Sequence, residues 1–170
     1  MPRLLYIVGC KHAGKTRACE VLIPPLQKQG IKVGTLKYTE HDGFDWDTPG
    51  KDTYRHRQAG SAVTGIFGSK IFAFSMHQED SNSAAPIELS RLFYRSLDLV
   101  LVEGYRNGTG QKIEICRPGY TDRSIALPAN LLATYGENLF NYDRPHFDYG
   151  AEDELAAHIA SNIPCLDEAG

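Results

Sequence analysis

The octapeptide Gly9-Cys10-Lys11-His12-Ala13-Gly14-Lys15-Thr16 holds the residues of this chain best suited to chemistry. Its spacing, G-x-x-x-x-G-K-[ST], suits a polyphosphate. Two glycines let the backbone curl so that successive N–H groups face anionic oxygens, and a following helix adds the positive end of its dipole. In such a loop Lys15 reaches the β- and γ-phosphates and the Thr16 hydroxyl takes a Mg2+, with Arg17 next in line. The competing interpretation is a glycine-rich turn with an exposed lysine. Context favours the phosphate loop, because the charge-free run Leu4-Leu5-Tyr6-Ile7-Val8 precedes it as a buried parallel strand.

Two acidic stretches supply further candidates. In Asp98-Leu99-Val100-Leu101-Val102-Glu103-Gly104, four apolar residues mark a buried strand and an acid follows at its end. Glu103 there suits a Mg2+ water shell or the orientation of an attacking water, and Gly104 lets the backbone pass near phosphates. The other stretch, Lys37 to Lys51, has no sustained periodicity and gathers His41, Asp42, Asp45, Asp47 and the only tryptophan, Trp46. It leaves the carboxyl end of an expected parallel strand, where open α/β sheets bind ligands. Its carboxylates fit Mg2+ binding or water positioning at a γ-phosphate; a solvated acidic loop is the plain alternative.

The elements that must position these residues can be read in order. Ala18, Val21, Leu22 and Leu26 recur at helical spacing and Gly30 offers a stop, while Pro24 and Pro25 require the helix to kink or restart. The segment 31–36 follows as a second strand, completing a right-handed βαβ unit. Residues 52–60 are expected to be helical, with Arg55, His56 and Arg57 on a basic face whose commoner fate is solvation. The segments 62–67 and 70–75 resemble a hairpin around Gly68-Ser69. Pro86 opens a helix running to Ser96. Lys112-Ile113-Glu114-Ile115-Cys116 alternates like a strand with one wet face, Leu131 to Tyr135 is a further strand, and 152–163 closes the chain as an amphipathic helix.

Composition bounds the function. With 170 residues, 42% hydrophobic and 23% charged, the chain suits a single domain spanning 1–170. A net charge of −3 provides no broad basic field, so a nucleic-acid partner is not expected. No run reaches membrane-spanning length and the five apolar residues before Gly9 fall short of a signal peptide, so a cytoplasmic protein is expected. Cys10, Cys19, Cys116 and Cys165 form no C-x-x-C pair and suggest reduced thiols rather than a zinc site or disulfide framework; Cys10 fits as a small loop residue.

The whole chain resembles the molybdopterin-guanine dinucleotide biosynthesis protein B family of the P-loop NTPase superfamily. The resemblance rests on the octapeptide, on Lys37 and His41-Asp42, and above all on Asp45-Trp46-Asp47-Thr48-Pro49-Gly50-Lys51-Asp52-Thr53-Tyr54-Arg55. It continues through Ala59-Gly60-Ser61-Ala62, the 98–106 stretch and Lys112-Ile113-Glu114. It implies an α/β, three-layer P-loop NTPase fold with a mostly parallel central sheet. It further implies a GTP-binding homodimer with weak, Mg2+-dependent GTPase activity that assists a molybdopterin guanylyltransferase, with molybdopterin itself a candidate ligand. Carried over by position, Gly9 to Thr16 bind phosphates, bordered by Arg17, Lys37 and Gly104. Thr16, Glu103 and Asp45 serve Mg2+, and Asp42 with Glu103 are the catalytic candidates. Ala13 and Arg17 stand where the family commonly has hydroxyl residues, and no guanine-reading N-K-x-D motif occurs. A small-molecule kinase or ATP-dependent ligase, and a binding module with an inactive nucleotide site, are the alternatives of other classes.

Overall fold

The computed structural model describes residues 2–39, 45–76, 85–126, 128–140 and 142–162. In chain order the elements are β1 (Arg3–Val8), α1 (Lys15–Lys28), β2 (Val33–Lys37), α2 (Asp52–Gln58), β3 (Val63–Phe67) and β4 (Phe72–Met76). There follow α3 (Ala85–Phe93), β5 (Leu99–Glu103), β6 (Lys112–Cys116), β7 (Leu131–Gly136), β8 (His146–Phe147) and α4 (Glu152–Asn162). Two compact units result, one from the described parts of 1–38 and 83–170, the other from those of 39–82.

The larger unit is built on a six-stranded sheet, order β2-β5-β1-β6-β7-β8, in which every neighbouring pair is parallel. Period-2 alternation divides its strands between two cores. Leu5, Ile7, Leu99, Leu101, Ile113 and Ile115 pack on one face with Leu22 and Leu26 of α1 and Leu155 and Ile159 of α4. On the other face Leu4, Tyr6, Val8, Val100 and Val102 meet Tyr105, with Ile87 of α3 and Tyr94 packed against them. Helices on both faces make the three-layer architecture that the resemblance implied. Central strands buried on both sides explain why β1 and β5 read as nearly continuous apolar runs.

α1 runs on through Pro24 and Pro25 without restarting. These prolines cannot return N–H bonds to Glu20 and Val21. Burial of Leu22, Pro25 and Leu26 compensates, since each buried Leu contributes about 1.5–3 kcal/mol. The α3 segment ends at Phe93, three residues before the expected Ser96.

The wet face expected for β6 does not exist: all five residues are buried, with Lys112 at 3% and Glu114 at 0% exposure. The strand lies inside the sheet, between β1 and β7. Glu114 Oε1 accepts the Ile125 N–H (2.6 Å), and its Oε2 accepts the hydroxyls of Ser124 (3.1 Å) and Tyr142 (3.3 Å) and the Ala126 N–H (3.4 Å). Lys112 donates to the Gly108 carbonyl and lies over the Tyr6 ring. Polarity at these two positions is therefore met inside the protein rather than by solvent.

The smaller unit carries the antiparallel β3–β4 hairpin, closed by the Gly68 N–H to Ile71 carbonyl bond (2.7 Å), as the Gly68-Ser69 signal implied. Here Arg57 is no part of a solvated basic face. It binds Asp45 Oδ2 at 2.7 Å and lies over the Tyr54 ring. Along the hairpin and its turn Val63, Ile66, Phe67, Ile71, Phe72 and Met76 are exposed.

Candidate functional site

β1 ends at Val8, and the octapeptide carries the chain from that buried strand into α1. The turn needs its glycines. Gly14 caps α1 at φ +101, and a Cβ on Gly9, at φ +152, would meet the Ile115 carbonyl oxygen at 2.9 Å. His12 also adopts a left-handed conformation, φ +63, the one non-glycine among the described residues to do so. Ala13 is fully buried and its N–H bonds the Cys10 carbonyl (3.2 Å), pinning the curl from inside.

The Lys15 amine arches back over the loop, donating to the carbonyls of Cys10 (2.8 Å) and Gly9 (3.2 Å). Partial burial lowers its pKa from 10.5; Glu103 and Cys10 push it back up, while Arg106 and Lys37 push it down. Thr16 donates its hydroxyl to Glu103 Oε1 at 2.7 Å. Parallel pairing positions that acid: β5 sets Glu103 level with Ile7 of β1 and Lys37 of β2. Lys37 Nζ lies 3.7 Å from the same oxygen. Gly104 turns the chain away at φ +89, donating its N–H to the Ile7 carbonyl (3.0 Å).

These residues border a cleft of about 540 Å³ whose lining includes His12, Gly14, Lys15, Thr16 and Glu103. Arg117 and Tyr120, which the sequence analysis missed, complete that lining. The available signal was local: Pro118-Gly119 directly after an apolar strand is a turn signature, able to fold a following aromatic back toward the strand end.

The other candidates divide. Lys11 is exposed on the loop, and Cys10 lies with its Sγ 3.6 Å from Asp122 Oδ1. Arg17 is exposed and pairs with Glu20 one turn on, at 3.3 Å. Asp45 is engaged within the smaller unit, accepting the Asp47 N–H at 2.9 Å and Arg57. His41 and Asp42 lie outside the described residues. Cys10, Cys19 and Cys116 are free thiols; burial pushes Cys19 and Cys116 up to about 12, which keeps them protonated at neutral pH.

What can this arrangement do? A glycine-rich loop opening a helix, a lysine held on that loop and a hydroxyl beside a carboxylate are the parts that grip a polyphosphate and a hard cation. Among the described residues no group of three or more His, Cys, Asp or Glu could hold a metal ion. Mg2+ needs no such cage, being bound through one or two protein oxygens with water and phosphate. The adjacent oxygens of Thr16 and Glu103 fit it.

A parallel sheet whose β1 runs through a G-x-x-x-x-G-K-T loop into α1, with an acid of the neighbouring strand bonded to that threonine, defines an α/β protein of the P-loop NTPase fold. Residues 4–135 match the family model "Molybdopterin guanine dinucleotide synthesis protein B", and the chain belongs to that family. It is 32% identical over 159 residues to the molybdopterin-guanine dinucleotide biosynthesis adapter protein of Escherichia coli, covering 92% of this chain and 90% of the relative. The Haemophilus influenzae adapter protein is 31% identical over 160 residues, covering 92% and 86%. Among solved structures, Bacillus subtilis MobB superposes with a TM-score of 0.69 at 24% identity, over 92% of this chain and 97% of that one.

Proposed function

We propose that this protein is a GTP-binding adapter of molybdenum cofactor biosynthesis, assisting the guanylyltransferase that joins GMP to molybdopterin. The single observation that carries the reading is the Thr16–Glu103 contact at 2.7 Å, beside a lysine parked on its own loop carbonyls. A triphosphate would offer Lys15 better partners than those carbonyls, because charge-assisted bonds are roughly twice as strong as neutral ones. Mg2+, when bound, would neutralise charge on the phosphate oxygens. Thr16 and Glu103 would hold it.

Family membership and the adapter relatives support the pathway, and GTP is the nucleotide that the family resemblance implies. Weak hydrolysis would follow from Glu103 acting on metal or water. The apolar surface of the β3–β4 hairpin, with Phe67 86% and Phe72 72% exposed, favours a homodimer. No helix among the described residues is long and apolar enough to cross a membrane.

Reconstitution tests the reading. Adding the chain with Mg2+ and GTP to a molybdopterin guanylyltransferase and molybdopterin should raise the yield of guanine dinucleotide, and Lys15→Ala should remove the gain. An unchanged yield with the native chain contradicts the adapter role.

A further inference from the structure

Beyond the octapeptide and its acids, the cleft has a second wall, made by the turn after β6. Arg117-Pro118-Gly119-Tyr120 closes through the Tyr120 N–H to Arg117 carbonyl bond (3.1 Å), with Gly119 at φ +75. The Thr121 hydroxyl accepts the Arg117 N–H at 3.0 Å and fixes the start of the turn. This folding sets the Arg117 guanidinium over the Tyr120 ring, 4.5 Å from its centroid. The same guanidinium donates to the His12 carbonyl at 3.4 Å, and the His12 ring meets Tyr120 edge-on at 6.3 Å. Arg117 thus joins the turn to the phosphate loop at its one left-handed non-glycine residue.

Of the cations that line the cleft, Lys15 and Arg117 both rest on neutral carbonyls. Lys37 and Arg17 both have carboxylate partners, Glu103 and Glu20. Arg117 has a neutral carbonyl at the long end of hydrogen-bond distance and an aromatic face. A planar cation held by such weak contacts, beside a cleft that phosphate-loop residues also line, exchanges readily to an anionic oxygen, where its fork forms shorter and stronger bonds.

We propose that Arg117 is a polyphosphate-binding residue of this site, presented by the Tyr120 ring, and that it leaves the His12 carbonyl for a phosphate oxygen when a nucleoside triphosphate enters. This rests on the reading that the cleft takes a nucleotide. Tyr120 is then a positioning residue, acting through Arg117 by its ring rather than its hydroxyl.

Calorimetric titration of the full chain with Mg2+ and two probes, a non-hydrolysable GTP analogue and inorganic tripolyphosphate, tests it. Arg117→Ala should weaken both probes tenfold or more, and Arg117→Lys should recover part of the loss. Tyr120→Leu should weaken both about threefold, with Tyr120→Phe close to native. Native-like affinity for both probes in Arg117→Ala overturns the proposal; equal losses in Tyr120→Phe and Tyr120→Leu overturn the role of the ring. Native binding of tripolyphosphate without the GTP analogue refutes the GTP reading while Arg117 is still judged on tripolyphosphate. Native failure with both probes refutes both.

Discussion

β5 and β6 flank β1 on opposite sides, and each carries a glutamate near the site. Glu103 is at the end of its strand, 14% exposed along its side chain, and bonds two side chains that have other possible partners, Thr16 and Lys37. Glu114 is fully enclosed and receives two backbone amides and two hydroxyls, all from the segments that follow β6 and β7. The difference is in the donors. Side-chain donors at a cleft can be traded for a ligand, whereas backbone amides fix the path of a loop. Glu103 is thus arranged for exchange, and Glu114 for holding residues 124–126 in place next to the Asp122 and Arg123 that Cys10 touches.

Unfolding experiments can break that contrast. Glu114→Ala should lose about 3 kcal/mol or more in urea unfolding, since each stranded buried donor costs about 1–3 kcal/mol. Glu114→Gln, with one acceptor replaced by a donor, should lose about 1–3 kcal/mol. A native-like midpoint in both would show the buried carboxylate to be dispensable. Glu103→Gln should change stability by less than about 1 kcal/mol, because the lysine of its ion pair is 64% exposed and the amide keeps an oxygen for the Thr16 hydroxyl. It should instead weaken the Mg2+ dependence of nucleotide binding and slow any hydrolysis by about tenfold or more. The reverse pattern, large destabilisation with unchanged Mg2+ dependence, would exchange the roles of the two acids.

A third glutamate sharpens the comparison with the smallest effect. The Tyr135 hydroxyl donates to Glu152, as does the Gly150 N–H, and together these hold the Glu152 carboxyl below its ordinary 4.5. A depressed carboxyl stabilises the fold fully above its unfolded value and loses that contribution as pH falls through the lower folded value. Urea midpoints measured between pH 6 and pH 3 should therefore show the native chain ahead of Glu152→Gln at pH 6, with the gap closing below about pH 4.5. A gap that widened on acidification would reverse the assignment.

Much of the larger unit was legible in the chain because its signals are local. The apolar runs of β1 and β5, the octapeptide between β1 and α1, and the acid at the end of β5 all carry their meaning within a few residues. The alternation in β6 misled because period 2 reports a polar face without saying whether water or protein satisfies it. Glu114's partners come from residues 124–126 and 142, beyond the reach of any local window. β8, two residues long, has too little sequence to announce itself. Arg117 and Tyr120 were missed because they enter the cleft through a turn rather than a motif. Asp45 and Arg57, twelve positions apart, carry no local sign that the fold pairs them.

The central claim, that the curl between β1 and α1 grips a triphosphate with its metal at Thr16 and Glu103, is met most directly by one calorimetric series. Native chain and Lys15→Ala are titrated with GTP and with ATP, each with Mg2+ and with chelator. The account predicts saturable binding of GTP in preference to ATP, strengthened by Mg2+ and abolished in Lys15→Ala. GTP binding that is absent, equal to ATP binding, or indifferent to Lys15 would contradict it.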